Sequence, residues 1–344
     1  MASFTPAAAR GRRRACAALL ASCAVAGLLA CQVAGADERR YTIAFANLID
    51  EPGVTLEATG FTGRDVRESF VLAARTRPID LVFYDNGPSC EKAMANVEDA
   101  IARKVDLFIQ YCHSPEVNAV VAERLRAARI PIIAVNEPLP GAPLYTLDNA
   151  TAGRIAGEAL GDFGVRSWRG QPIEAAIIGP LAARGVPERV QGVRHGLRLH
   201  QSTIRVTTLD TRGNPAQVPR LLGSFLAARP SAKLLIATTD DATALACKSA
   251  LESAGRLADA AIVSHGADRS IHGGMSERKE IDPNNRGSIV LGSVAFYLDR
   301  LGHEILPLAL RVLRGEAIPP RTVTTHRLLT AANVFVEYPP YDMQ

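Results

Sequence analysis

Polar and ionisable side chains recur in this chain directly after short apolar runs. They are Asn47 with Asp50 and Glu51, Asp85-Asn86, Gln110-Tyr111-Cys112-His113 and Asn136-Glu137, then Thr239-Asp240-Asp241, Gly266-Ala267-Asp268 and Phe296-Tyr297. Amides and carboxylates in such places bond hydroxyls and amines, and an aromatic pair such as Phe296-Tyr297 can stack on a ring face. Singly, each has a plainer use: an Asp before a helix caps free N–H groups, and Tyr111 or Phe296 fits a core. Their repetition at the same end of successive strands points to a crevice, because open α/β sheets take ligands outside the C-terminal ends of their strands. His265, Asp268 and His272 have a spacing that suits a loop metal site, but no fourth ligand accompanies them, and a mixed polar loop is the commoner source of such a triplet. The chain holds no Gly-x-Gly-x-x-Gly after a strand, no Gly-Lys-Ser/Thr phosphate loop, no Gly-x-Ser-x-Gly and no His-Glu-x-x-His. We therefore expect no catalytic residue, no metal and no cofactor.

The elements that must position these residues are legible in the apolar pattern. Thr42 to Ile49, Leu81 to Tyr84, Leu107 to Tyr111 and Pro131 to Val135 are near-continuous apolar runs, as strands covered on both faces require. Helical stripes separate them over Asp65 to Thr76, Ser89 to Arg103 and Pro115 to Arg129, the last with Pro in its first turn, where a missing N–H is harmless. After an extended stub at Leu144 to Leu147, Asp148-Asn149 can cap a new helix, on which Gly153 and Gly157 allow close approach of another backbone. The strand and helix rhythm then repeats, with strands at Glu174 to Ile178, Ile204 to Leu209, Lys233 to Ala237, Ala261 to Ser264 and Ser288 to Val294. A closing helix spans Tyr297 to Arg314, and Pro307 inside it is expected to kink or split it. Two connections are long, Asp50 to Gly63 and Asp268 to Arg286, and long structured loops are often functional.

The first 36 residues read as a secretory leader: Arg10, Arg12, Arg13 and Arg14, an apolar run from Ala15 to Ala30, then Ala34-Gly35-Ala36 as the cleavage site. Leu28-Leu29-Ala30-Cys31 competes as a lipoprotein box that would anchor the protein through Cys31, but it carries leucine where a smaller residue is usual. The chain has 39 basic and 35 acidic residues, and four of the basic ones and none of the acidic ones precede Asp37. The remainder is balanced at 35 against 35, which gives no argument for nucleic acid. Its 308 residues exceed what a single core usually holds, so two lobes are expected. Cleavage leaves Cys90, Cys112 and Cys247. Cys90 with Cys112 is the one pair worth considering, since both fall near strand ends, and the alternative is three buried thiols. We lean to the thiols, because Cys247 lies on an apolar helical face and shows that buried cysteine is tolerated.

Leu147-Asp148-Asn149 with Ala152-Gly153-Arg154-Ile155-Ala156-Gly157, then Arg189-Val190-Gln191-Gly192-Val193, Thr239-Asp240-Asp241 with Ala244-Leu245-Ala246, and Gly266-Ala267-Asp268 resemble, in order and spacing, the landmarks of type I periplasmic sugar-binding proteins of the ribose-binding class. The likeness runs from Tyr41 to about Val334. Repressors of the lac type share this core, but a helix-turn-helix stands there in place of the leader. The resemblance implies an α/β fold of two doubly wound parallel-sheet lobes joined by a three-strand hinge. On that plan residues 37–147 and 297–321 form the N-terminal lobe, and 148–296 and 322–344 the C-terminal lobe. It implies a monomeric periplasmic receptor that closes on a small-molecule ligand and delivers it to the membrane permease of an ABC importer. A sensor that presents its closed form to a membrane receptor or histidine kinase is the alternative, and a secreted enzyme built on the His265 loop is a further one.

Carried over by that resemblance, the ligand-binding set is Asn47, Asp50, Asp85, Asn86, Tyr111, His113, Asn136, Glu137, Arg189, Thr239, Asp240, Asp268, Phe296 and Tyr297. Departures from the family bear on the ligand. Asn136-Glu137 replaces the usual Asp-Arg pair, Thr239 the usual Asn, Phe296 the usual Gln, and Pro187 an expected arginine. The first-strand loop is longer than usual and lacks the paired aromatics. Glu137 in place of an arginine, with Asp85, Asp240 and Asp268 kept, predicts a cleft that leans acidic. Such a cleft suits a sugar, polyol or amino sugar other than ribose, and disfavours a phosphate or simple carboxylate.

Overall fold

The structure is a computed structural model that describes Met1, residues 39–273 and residues 279–339. The proposed leader, its cleavage site and Cys31 lie outside the described residues. From Tyr41 onward the chain forms one compact unit.

The elements of the first half are β1 (Tyr41–Asn47), α1 (Gly63–Ala74), β2 (Ile79–Asp85), α2 (Ala93–Ala102), β3 (Leu107–Tyr111), α3 (Pro115–Ala127), β4 (Ile132–Val135) and β5 (Leu144–Thr146). The second half runs α4 (Asn149–Ser167), β6 (Ile173–Gly179), α5 (Val186–His200), β7 (Val206–Asp210), α6 (Val218–Ala227), β8 (Lys233–Thr238), α7 (Asp241–Ser253), β9 (Ala260–Gly266) and β10 (Val290–Ala295). The chain closes with α8 (Leu301–Leu313), β11 (Arg321–Val323), β12 (Leu328–Leu329) and the short α9 (Val334–Glu337).

Two six-stranded sheets result, ordered β11-β5-β4-β3-β1-β2 and β12-β10-β9-β8-β6-β7. All neighbours are parallel except β10 with β12. Both sheets are doubly wound because each apolar strand needs helices on both faces. The chain passes between the sheets after β5, after β10 and between β11 and β12, which makes the three-strand hinge.

Two expectations change. The closing helix runs through Pro307 as one element over Leu301–Leu313. Its buried face of Leu301, Ile305, Leu306, Ala309 and Leu310 offsets the N–H that proline lacks, and Gly302 sits directly on the Phe70 backbone of α1. Cys90 and Cys112 form a disulfide, so the lean to three thiols is corrected; among the described residues Cys247 is the one free cysteine, and it is buried. Cys90 stands at φ +59 in the turn after β2, which brings it to the residue that follows β3.

Candidate functional site

The site is built around Arg189, and two supports hold that residue. Behind it, α4 and α5 pack backbone to backbone. A Cβ on Gly153 would land on the Arg189 carbonyl oxygen and one on Gly157 on that of Val193, while Gly192 and Gly196 meet the Ala150 and Arg154 carbonyls in return. In front stands the segment 48–62. Asn47 clasps both its ends, its Nδ2 donating to Asp50 Oδ1 at 2.6 Å and to the Gly63 carbonyl at 2.9 Å. Thr62 and Asp65 form a capping box that starts α1, and the buried Leu56 and Phe61 anchor the segment.

At its tip Leu56-Glu57-Ala58-Thr59 forms a tight turn, with Thr59 N–H donating to the Leu56 carbonyl at 3.0 Å. Glu57 and Ala58 take φ of +55 and +49, left-handed values that residues with a Cβ adopt at about 1–2 kcal/mol each. The turn thrusts the Glu57 side chain between the lobes. Glu57 Oε1 accepts from Tyr111 Oη at 2.5 Å, Asn136 Nδ2 at 2.8 Å and His113 Nε2 at 3.0 Å. Burial would raise the Glu57 carboxyl, but the His113, Tyr111 and Asn136 bonds outweigh it and hold the group below the usual carboxylate range. Glu57 is therefore ionised, and His113 Nε2 must carry the hydrogen. Asn136 Oδ1 accepts from Leu147 N–H, which fixes the orientation of the amide.

On the opposite lobe Arg189 is fully buried and bonds Asn149 Oδ1 through Nε at 3.1 Å and Nη2 at 2.8 Å. It also donates to the carbonyls of Glu57 at 3.0 Å, Ala58 at 3.1 Å and Thr239. Its guanidinium lies 4.3 Å above the Phe296 ring. Burial pulls Arg189 down to about 10, against the pull of Glu57, Asp240 and Asp241, so it stays charged at neutral pH. Gly60 of the loop faces Asp268, whose carboxylate a Cβ at Gly60 would overlap. The loop thus splits the gap between the lobes. On one side is a cleft of about 530 Å³, lined by Glu57, Asn136, Asn149, Arg184, Glu188 and Arg321 among others. On the other is a groove of about 190 Å³ between Ala58, Thr59 and Gly60 and the Thr211, Asp240 and Thr243 side.

Of the sequence-predicted residues, Tyr111, His113, Asn136, Arg189 and the Thr239 carbonyl converge at this point, with Phe296 beneath. Glu137 reaches the rim and pairs with Arg184 of the other lobe. Asp240 caps α7 by accepting from Thr243 N–H at 2.7 Å and borders the smaller groove. Asp268 donates its N–H to the buried Asp241, whose carboxyl is pushed up by burial and by Asp268. Others are spent elsewhere. Asn47 and Asp50 form the loop clasp. Asp85 accepts from Lys92 Nζ at 2.7 Å and Gly87 N–H at 3.0 Å, and Asn86 donates to the Tyr111 carbonyl at 3.0 Å. The aromatic pair is not formed: Phe296 is covered by Arg189, while Tyr297 stacks on Tyr338 at 6.1 Å beside Arg300. Part of the expected acidic charge is offset, since Asp85 is paired with Lys92 and Glu137 with Arg184, while Glu57, Asp148 and Glu188 line the cleft together with Arg184 and Arg321.

Sequence reasoning missed Glu57, Arg184 and Arg321. A usable signal for Glu57 was present, a lone acid between Leu56 and Phe61 in a loop already flagged as long. The triplet proposed for a metal does not gather: His265 Nδ1 lies 2.7 Å from the Thr238 carbonyl and His272 Nε2 lies 2.8 Å from that of Ala267. Among the described residues no group of three or more His, Cys, Asp or Glu side chains is placed to hold a metal ion.

Residues 53–290 match the family model of a periplasmic binding protein domain. The fold is also that of solved structures. A glucose-galactose binding protein from Geobacillus stearothermophilus is 17% identical with a TM-score of 0.61, over 87% of this chain and 99% of that one. An ABC transporter periplasmic solute binding protein from Actinobacillus succinogenes with bound D-allose is 16% identical with a TM-score of 0.64, over 86% and 99%. An ABC transporter solute binding protein from Bacillus halodurans with bound myo-inositol is 18% identical with a TM-score of 0.61, over 88% and 99%. Among curated proteins no sequence matches.

Proposed function

The chain belongs to the periplasmic binding protein family, and on that premise we propose that it is a non-enzymatic receptor for a small polyhydroxylated solute, which it hands to the permease of an ABC importer. One observation carries the reading. Tyr111, His113 and Asn136, at the C-terminal ends of β3 and β4, face Arg189 and the end of β8 across the gap between the sheets. A guest that bonds both sets stabilises the closed pairing of the lobes over the open one, because it reaches all of them only when they are shut. The solved structures with D-allose and myo-inositol support a sugar or polyol as the class. The protein works as a monomer in the periplasm, consistent with a leader of the kind read from the sequence.

A thermal-shift series with sugars, polyols, amino sugars and sugar acids tests this. A ligand at a hundred times its Kd adds about 2.7 kcal/mol of stability, a shift of several degrees. If no member of the series raises the melting temperature, the receptor reading fails.

A further inference from the structure

The segment 48–62 does what a bound solute does: its tip bonds both lobes at once. The Glu57 carboxylate takes the three donors of the N-terminal lobe, and the Glu57 and Ala58 carbonyls take two of the bonds of Arg189. Every contact that the tip makes with these four side chains is an acceptor on the loop meeting a donor on the site. Two amide oxygens beside those donors are already engaged, Asn136 Oδ1 by Leu147 N–H and Asn149 Oδ1 by Arg189. A neutral sugar presents hydroxyl hydrogens that need acceptors, whereas a carboxylate and its neighbouring oxygens present acceptors only. The turn that delivers Glu57 is also poorly suited to its own residues, since two successive left-handed positions favour Asn-Gly and here hold Glu-Ala. Such a turn persists because its bonds to the site hold it. The tip divides what is otherwise one gap into cavities of about 530 and 190 Å³.

We propose that the tip of this segment is a tethered occupant of the binding site, with Glu57 standing in for the carboxylate of the solute, and that the solute is a sugar acid which displaces it. This rests on the receptor reading and narrows its ligand class. The displaced tip swings out into solvent, where Glu57 is hydrated and Ala58 leaves its left-handed conformation. Occupancy by the tip lowers the apparent affinity by the fraction of molecules whose site is free, so loosening the tip tightens binding without a new contact.

Two variants loosen it independently. Glu57→Ala removes the stand-in carboxylate, and Gly60→Ala pushes the tip off Asp268 while leaving Glu57 in place. Calorimetric titration of the purified protein and both variants with D-glucuronate, D-galactonate, D-galactose and myo-inositol is the experiment. Expected is preference for at least one acid over both neutral compounds, with an affinity gain of about tenfold or more in both variants. Equal or better binding of a neutral compound, or weaker or unchanged acid binding in both variants, overturns the tethered occupant and leaves the receptor standing. Absence of binding by all four compounds to all three proteins removes the receptor reading, and this assignment with it.

Discussion

Arg189 is held from behind by α4 and from in front by the tip of segment 48–62, and the two supports are opposites. The rear contact is made by missing side chains: four glycines let two helices meet backbone to backbone, and no rotamer change can relieve an added atom there. The front contact is made by hydrogen bonds to a turn whose residues dislike its conformation. Close packing without side chains makes a permanent support, whereas bonds to a strained turn make one that can be exchanged for other bonds of the same kind. A two-lobed receptor needs both, a fixed wall and a contact that gives way.

Breaking the rear support should have the largest effect. Gly153→Val drives two methyl groups into the α5 backbone and is expected to lower stability by about 3 kcal/mol or more in urea unfolding. A loss below about 1 kcal/mol would show that the helices can part, and the contrast would collapse. Next, Arg189→Met keeps the rear packing but strands its acceptors on Asn149, Thr239 and the loop; about 2–3 kcal/mol is expected, together with loss of ligand-induced thermal shift. Retained ligand binding in that variant would detach Arg189 from the site.

Glu57→Gln tests the front support through pH. The folded-state carboxyl sits below its ordinary value, so its contribution is complete above the unfolded value near 4.5 and is lost as pH falls through the folded one. The groups that face it are Tyr111, His113 and Asn136 at the carboxylate and Arg189 at the carbonyl, with Arg184 near Tyr111. Because both proteins share every other titrating group, the wild type should exceed the variant by about 1–2 kcal/mol at pH 7, and the gap should shrink below pH about 4.5. A gap that widens as the pH falls below about 4.5 contradicts an ionised, bonded Glu57. The smallest effect belongs to Ala58→Gly, which relieves one left-handed residue. A gain of about 0.5–1 kcal/mol with weaker ligand binding is expected, and a loss of stability would mean that the turn is not strained there.

The strands and helices were legible because buried parallel strands and amphipathic helices write their periods directly into the sequence. β3 was read at its observed limits, and most other strands within about two residues, as pattern reading allows. The residues at strand ends were equally visible, but not their uses. Tyr111 and Asp85 both follow apolar runs; one meets Glu57 and the other Lys92, and only the distant partner decides which. For Glu57 the length of its loop and its place as a lone acid between Leu56 and Phe61 were visible, but Glu-Ala carries the opposite of the propensity that its turn demands, so the turn that delivers it was not. That Pro307 does not split α8 was hidden because helix propensity was weighed without the packing of that helix, and the Cys90–Cys112 bond because strand ends give proximity along the sheet edge without a distance.

On the proposed reading of Tyr111 and His113 as donors to a ligand, that bond affects how firmly a guest is gripped. Cys112 stands between Tyr111 and His113, so the crosslink to Cys90 pins the two-residue step from which both of those donors project. Groups already fixed in place lose little freedom when a visitor arrives, and the affinity they would otherwise give up to being ordered is kept. Reduced protein can retain its sheets and helices yet hold its solute more slackly, which ties the quality of the grip to the oxidising surroundings in which the chain matures.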